Sequence, residues 1–282
     1  MRTWGAERAL GTSRLRAAGI PTGALDADVL LAHVLGVAKE TLYAHPETEL
    51  SHGACERYRA LVDRRARGEP VAYLRGWKEF YGLRFAVDPR VLIPRPETET
   101  LVDAARAHIA GRAVRVVDVG TGSGAAGVAI AVHEPRASVI ATDISADALA
   151  VARANALWNG VAERLTFRVG DLLAPIDERV DVVVANLPYL RPDALGELVG
   201  DRTSLAYEPR VAVLGGDADG LSLVRRAIVE LPRVLAPSGA AFFEIDPPQM
   251  GLVTALLERT RRGTVSVTRD LRGDARVVAI AS

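Results

Sequence analysis

The tetrad Asn186-Leu187-Pro188-Tyr189 follows directly on the apolar run Val182-Val183-Val184-Ala185. A polar residue at the mouth of a buried strand, then a proline and an aromatic, is more than a chain reversal. These residue types suit a nitrogen nucleophile whose lone pair is delocalised, as in an amide or an aromatic amine. Two acceptors that take both hydrogens would orient such an NH2 group and favour positive charge developing on nitrogen. The side-chain oxygen of Asn186 supplies one acceptor and the Leu187 carbonyl the other. Pro188 keeps residue 187 extended and adds no donor, while Tyr189 walls the pocket. No strong general base is needed if the electrophile is cationic and the proton leaves afterwards. The plainer reading is an Asx-type turn with a packed tyrosine.

A second cluster lies upstream, at Asp118-Val119-Gly120-Thr121-Gly122-Ser123-Gly124. Glycines let a chain turn tightly and let its backbone approach a ligand. Gly122, Gly124 and Gly127 also spell GxGxxG, a dinucleotide pattern that is weak alone. Asp118 before the loop and Gly120 upstream turn the pattern into Asp-x-Gly-x-Gly-x-Gly. That form resembles the S-adenosylmethionine loop of methyltransferases, which holds a zwitterionic amino acid instead of a pyrophosphate. A tight strand-to-helix turn without a ligand is the alternative. Asp143, 25 residues after Asp118, can accept hydrogen bonds from ribose hydroxyls. It competes for a helix N-cap role with Ser145. In Gly170-Asp171-Leu172, Asp171 is placed for an adenine amino group and Leu172 for the ring, although Gly-Asp is also a common turn.

These residues need a frame. From Arg115 onward, apolar strands at 116–119, 138–142, 165–169, 180–185 and 240–245 alternate with helices such as 146–158 and 221–235. This rhythm predicts an α/β fold with a parallel sheet covered on both faces. Ligands then sit at the carboxyl ends of the strands, where both clusters fall. The chain ends in segments 264–269 and 276–281 around Gly273, an antiparallel edge hairpin. Residues 71–87 read as short strands with a turn at Gly82. Ile93-Pro94-Arg95-Pro96 reads as a stiff connector, and a helix over 97–108 follows. The first 70 residues read as helices. One, over 26–35, carries Val29, Leu30, Ala32, His33 and Val34 near one face and stops at Gly36. Another, over 51–67, has a solvated, arginine-rich polar face. His33 reads as a satisfied core histidine, and Trp158-Asn159 as core packing with a C-cap.

Composition narrows the function. The 282 residues carry 35 Lys+Arg and 35 Asp+Glu, with 49% hydrophobic and 25% charged residues. That balance fits a globular protein and argues against disorder. A formal net charge of zero argues against binding nucleic acid mainly by phosphate neutralisation. The single cysteine, Cys55, excludes a disulfide framework and a cysteine-rich zinc site and reads as a packed thiol. The five histidines show no metal spacing, so no metal is expected. With no leader sequence and no apolar run long enough to span a bilayer, the expected location is the cytoplasm.

The chain resembles the HemK/PrmC family of protein-glutamine methyltransferases, which act on the Gly-Gly-Gln loop of peptide chain release factors. The resemblance runs nearly end to end. Arg65-x-x-Gly68-Glu69-Pro70-x-x-Tyr73-Leu74-x-Gly76-x-x-Glu79-Phe80-Tyr81-Gly82 looks like its interdomain segment, and Val91-Leu92-Ile93-Pro94-Arg95-Pro96-Glu97-Thr98-Glu99 like its linker signature. Glu208-Pro209, then Gly215-Gly216-x-x-x-Gly220-Leu221, and finally Asp270-Leu271-x-Gly273-x-x-Arg276 also agree. The resemblance implies a helical substrate-recognition domain over 1–70, a β-hairpin linker over 71–96 and a methyltransferase domain over 97–282. The last would be a class I, Rossmann-like domain with a seven-stranded, mostly parallel sheet. Carried over, Gly120, Thr121, Gly122, Ser123, Gly124, Asp143, Asp171, Leu172 and Asn186 would bind S-adenosylmethionine. Asn186, Leu187, Pro188 and Tyr189 would hold the glutamine amide, with Asn186, Pro188 and Tyr189 as the catalytic set. The implied partner is a release factor met by a monomer, with no direct nucleic acid and no membrane.

Two positions depart from the family pattern. Leu187 replaces the first proline of Asn-Pro-Pro-Tyr, which loses φ rigidity and adds bulk near the substrate. Asp246 replaces the glycine of Glu-Ile-Gly. They keep open a paralogous N-methyltransferase acting on another protein, a small molecule or a nucleic-acid amine. A non-enzymatic binding paralog is disfavoured by the intact Asn186, Pro188 and Tyr189. An NAD oxidoreductase is disfavoured because no His, Lys or Tyr constellation for hydride chemistry stands out.

Overall fold

The computed structural model describes residues 2–193, 204–260 and 263–282. They fall into two compact units, residues 2–77 with 204–207, and residues 78–193 with 208–260 and 263–282.

The first unit is helical: α1 (Trp4–Ala17), α2 (Gly23–Leu35), α3 (Lys39–Ala44), α4 (His52–Ala66) and α5 (Val71–Arg75). Thr3 caps α1 by accepting the Ala6 N–H at 3.3 Å, and Ser51 caps α4 by accepting that of Ala54 at 3.3 Å. Gly36 ends α2 in the left-handed region. Leu15, Leu30, Leu31, Leu42, Cys55 and Tyr58 pack the core. His33 is exposed instead of sharing that core, because the buried face of α2 runs through Ala27, Leu30 and Leu31. The basic face of α4 is also not simply solvated. Arg59 forks onto buried Glu7 at 2.5 and 2.9 Å, Arg65 reaches Asp26 at 2.7 Å, and Arg64 pairs with Glu69. The Arg59 hydrogen bond holds the Glu7 carboxyl below its ordinary range.

Residues 71–75, expected as strand, are a helical turn entered through Pro70 and closed by left-handed Gly76. The strands start later, as β1 (Trp77–Phe80) and β2 (Leu83–Ala86). Tyr81 and Gly82 join them with φ of 53° and 70°, the two left-handed residues of a tight hairpin turn. The strained Tyr81 is pinned because its N–H donates to Glu99 at 2.8 Å.

The second unit is built on a seven-stranded sheet. Its elements are α6 (Thr98–Ile109), β3 (Arg115–Val119), α7 (Ala125–His133), β4 (Ser138–Asp143), α8 (Ala146–Trp158), β5 (Leu165–Val169), β6 (Val180–Ala185), α9 (Ser222–Val234), β7 (Leu235–Glu244), α10 (Met250–Arg259), β8 (Thr264–Arg269) and β9 (Ala275–Ala281). The strand order is β5-β4-β3-β6-β7-β9-β8. The pairs among β3–β7 are parallel, and β9 runs antiparallel to both β7 and β8. Alternate residues feed opposite faces. Val116, Val182, Val184 and Phe242 join α6, α7 and the hairpin residues Phe80 and Phe85. Val117, Val119, Val183 and Phe243 join α9 and α10. Chain progression reverses at the β3/β6 pair, so the loops after these two strands meet over one crevice. Among the described residues no helix is long and apolar enough to cross a membrane.

Candidate active site

After β3 the chain visits the left-handed region three times, at Gly120, Gly122 and Gly124 with φ of 68°, 54° and 82°. A Cβ on Gly124 would come within 3.1 Å of Ala152, and one on Gly120 within 3.1 Å of Leu187, whereas Gly122 faces open space. Backbone alone therefore floors the crevice. Asp118 lies beneath it, almost fully buried. Its Oδ2 accepts the Thr121 hydroxyl at 2.5 Å and the Gly127 N–H at 2.9 Å. Burial outweighs those two donors and pushes the carboxyl up to about 6. A Cβ on Gly127 would sit 2.9 Å from the same oxygen. The third glycine of GxGxxG thus makes room for a carboxylate of this chain. Asn155, buried on α8, donates to the Ser123 carbonyl at 2.8 Å and exchanges bonds with Ala86 at 2.7 and 3.0 Å. It fastens the loop to the β1–β2 hairpin.

Asp143, at the end of β4, accepts the Gly122 N–H through Oδ2 and the Ser145 N–H through Oδ1, both at 2.9 Å. Burial raises its pKa. Ser145 caps α8, accepting the Ala148 N–H at 3.1 Å, so the rival cap role falls to Ser145. Asp171 forms an ion pair with Arg226 of α9. Leu172 has φ of 48° and its carbonyl accepts the Thr142 hydroxyl at 3.0 Å.

Across the crevice, the Nδ2 of Asn186 donates to the Thr98 hydroxyl at 2.9 Å. Leu187 is only 2% exposed and belongs to the core cluster below the sheet's crevice edge. Its side chain packs against Gly120, and the residue also lines the cavity described below. The Tyr189 carbonyl accepts from Gln249 at 2.9 Å, and Gln249 also bonds the Asp219 carbonyl at 2.7 Å. A Cβ on left-handed Gly220 would fall 2.2 Å from that Tyr189 oxygen. Burial raises the Tyr189 phenol well above its usual range.

Between these walls lies a cavity of about 890 Å³ including its open mouth. It brings together Gly120, Gly122, Asp143, Asp171, Leu172, Asn186, Leu187 and Pro188. Thr121, Ser123, Gly124 and Tyr189 are not on its wall. Arg90, Ile144, Val211, Ala212, Leu223 and Arg226 line it without having been singled out by sequence. Arg226 is one of several arginines on an amphipathic helix, and spacing does not mark it. The linker is clasped from a distance: fully buried Glu208 accepts the Ile93 N–H at 3.1 Å and Arg95 at 2.5 Å. Trp158, expected in the core, is 71% exposed, while Asn159 does cap α8. Among the described residues no group of His, Cys, Asp and Glu is arranged to hold a metal.

A backbone floor, a carboxylate over it and an apolar wall thus meet at the β3/β6 crevice. The pattern of the methyltransferase small domain matches residues 96–202, and that of the PrmC N-terminal domain residues 8–76. A methyltransferase structure from Pyrococcus furiosus shares the fold, with TM-score 0.54 and 17% identity over 78% of this chain and 97% of that one. A T. thermophilus 16S rRNA N2 G1207 methyltransferase, in complex with AdoMet and guanosine, does so with TM-score 0.53 and 17% identity over 73% of this chain and 49% of that one. The release factor glutamine methyltransferase of Cereibacter sphaeroides is 39% identical over 266 residues, covering 94% of each chain. That of Bordetella pertussis is 41% identical over 262 residues, covering 92% of this chain and 94% of its own. The chain belongs to the release factor glutamine methyltransferase family.

Proposed function

We propose that this protein methylates the side-chain amide of the glutamine in the Gly-Gly-Gln loop of peptide chain release factors, using S-adenosylmethionine. One observation carries the reading. The NH2 of Asn186 is tied to Thr98, so its oxygen, a pure acceptor, is the end left for a ligand, and Asn186 lines the cavity together with Gly120, Asp143 and Leu172. The cradle suits the cofactor: glycine backbone for its amino-acid end, the Asp143 carboxylate for a ribose diol and Leu172 for a flat ring. When bound, the cofactor supplies an electrophilic methyl on a sulfonium. The chain's own part is to hold the nucleophile. Asn186 Oδ1 and the Leu187 carbonyl take the two amide hydrogens and align the nitrogen. They also favour the charge it gains during attack. Pro188 keeps the Leu187 carbonyl available, and Tyr189 buttresses the turn through its carbonyl. Cavity and acceptors come from one chain, so a monomer suffices, working in the cytoplasm where release factors act.

The test is incubation with methyl-labelled S-adenosylmethionine and the organism's own release factors. Label is expected on the native factor and absent from one whose Gly-Gly-Gln glutamine is replaced. Equal labelling of both factors, or none while cofactor binds by calorimetry, refutes the assignment.

A further inference from the structure

The motif Gly215-Gly216-x-x-x-Gly220-Leu221 has no part in the mechanism above, yet it lies against the tetrad. The acceptor assigned to residue 187 is a main-chain carbonyl, so only the course of the backbone can aim it. Upstream, residues 182–185 hold that course by pairing with β3 and β7. Downstream, Pro188 has no N–H to contribute, and the anchors that follow are Tyr189 and Leu190. The Leu190 N–H donates to the Val213 carbonyl at 3.1 Å, and the Leu190 carbonyl accepts the Gly215 N–H at 2.9 Å. The Tyr189 carbonyl is taken by Gln249, a buried residue on the short turn Pro247–Gln249 after β7.

The NH2 of a glutamine carries two hydrogens. In Gln249 one goes to the Tyr189 carbonyl at 2.9 Å and the other to the Asp219 carbonyl at 2.7 Å. Its own oxygen is buried without a hydrogen-bond partner, a state that calls for a reason. Turning the amide over would set that oxygen against two carbonyls, so the two acceptors fix its direction. Gly220 permits the close approach: its φ is 74°, and a Cβ there would fall 2.2 Å from the Tyr189 oxygen and 3.0 Å from the Gln249 nitrogen. A Cβ on Gly215 would fall 1.9 Å from the Gly220 oxygen. The loop is itself tied down. Asp217 accepts the Leu221 and Ser222 N–H groups at 2.9 and 3.2 Å, and Asp217 and Asp219 both pair with Arg225 of α9.

We infer that Gln249 is a positioning residue that brackets the tetrad's backbone to the Gly215–Gly220 loop and so aims the Leu187 carbonyl at the substrate NH2. Gln249 stands outside the cavity wall and acts through Tyr189. The inference rests on the reading of the Leu187 carbonyl as an acceptor of the substrate amide.

The experiment compares Gln249→Met and Gln249→Glu with wild type, using S-adenosylmethionine and the native release factor. Wild-type labelling, lost when the factor's glutamine is replaced, first establishes the underlying reading on its own. Thermal melts and calorimetric cofactor affinity then verify that each variant is folded with an intact cradle. Gln249→Met keeps the length, loses both donors, and is expected to lose about 10²-fold in kcat, with cofactor affinity within about threefold of wild type. Gln249→Glu loses both donors when ionised and regains one when protonated. Its kcat relative to wild type is therefore expected to fall at alkaline pH and to recover toward acid, and this profile serves even if the methionine variant does not fold. A packing role predicts a lowered Tm with wild-type kcat well below it, and overturns the inference. So does a loss confined to KM, an equal loss of cofactor affinity, or a Gln249→Glu pH profile parallel to that of wild type.

Discussion

Replacing Glu244 by glutamine should change how stability responds to pH. Burial, opposed by Thr98, Arg276 and Tyr189, pushes the Glu244 carboxyl from 4.5 up to about 7. A folded-state pKa above the unfolded one means that the native protein holds the proton more tightly. The stability contributed is complete below about pH 4.5 and is lost as pH rises through about 7. At about 1.36 kcal/mol per pH unit, the loss across that window is about 3 kcal/mol. Glutamine has nearly the same shape and no charge to bury, so the variant escapes this loss. Asp118, pushed to about 6, titrates in both proteins and cancels in the difference. Thermal melts of wild type and Glu244→Gln from pH 4.5 to 8.5 should diverge on the alkaline side by roughly 6–12 °C, since each kcal/mol moves Tm by about 2–4 °C at this size. Parallel Tm curves over the whole range would refute the buried-acid reasoning.

Four further substitutions test other parts of the site. Asn186→Ala should lower kcat by about 10²–10³-fold with cofactor affinity preserved by calorimetry. Asn155→Leu removes the three hydrogen bonds by which this buried side chain holds the glycine loop and the hairpin and should cost about 3 kcal/mol, read by denaturant unfolding together with weaker cofactor binding. Glu208→Gln breaks the buried pair with Arg95 and should destabilise by about 3 kcal/mol, with proteolytic cleavage appearing near residues 92–96. Leu187→Ala empties a core position under Gly120 and should cost about 2–5 kcal/mol, visible as a lower Tm.

The strand–helix alternation is legible in the sequence because a sheet covered on both faces demands apolar runs, and β5, β6, β8 and α8 fall where the pattern puts them. The site's two chemical clusters are legible for a related reason: each combines residues that a plain turn does not need. Other features depend on partners distant in sequence. Glu208 stands out in the sequence only through the Glu208-Pro209 pair, because its partners, Arg95 and the Ile93 N–H, lie 113 and 115 residues away. Asn155 looks like one more polar helix residue until Ser123 and Ala86 arrive. The packing of Leu187 against Gly120 is likewise hidden, because a sequence shows which residue follows Asn186 but not what its side chain meets. His33 and Trp158 were misplaced through the same weakness, since one turn of helix decides between core and solvent.

The hairpin of Trp77–Ala86 has a consequence for how such genes can be shuffled. Phe80 and Phe85 are sealed into the core of the sheet-bearing unit, and Asn155 ties Ala86 to the glycine loop. The functional seam therefore lies near Trp77, well upstream of the Pro94–Pro96 connector where a reader of sequences would cut. An exchange of N-terminal modules between relatives that joins at residue 97 would pair a foreign hairpin with a native niche. One that joins ahead of Lys78 would carry the hairpin along with the sheet it completes.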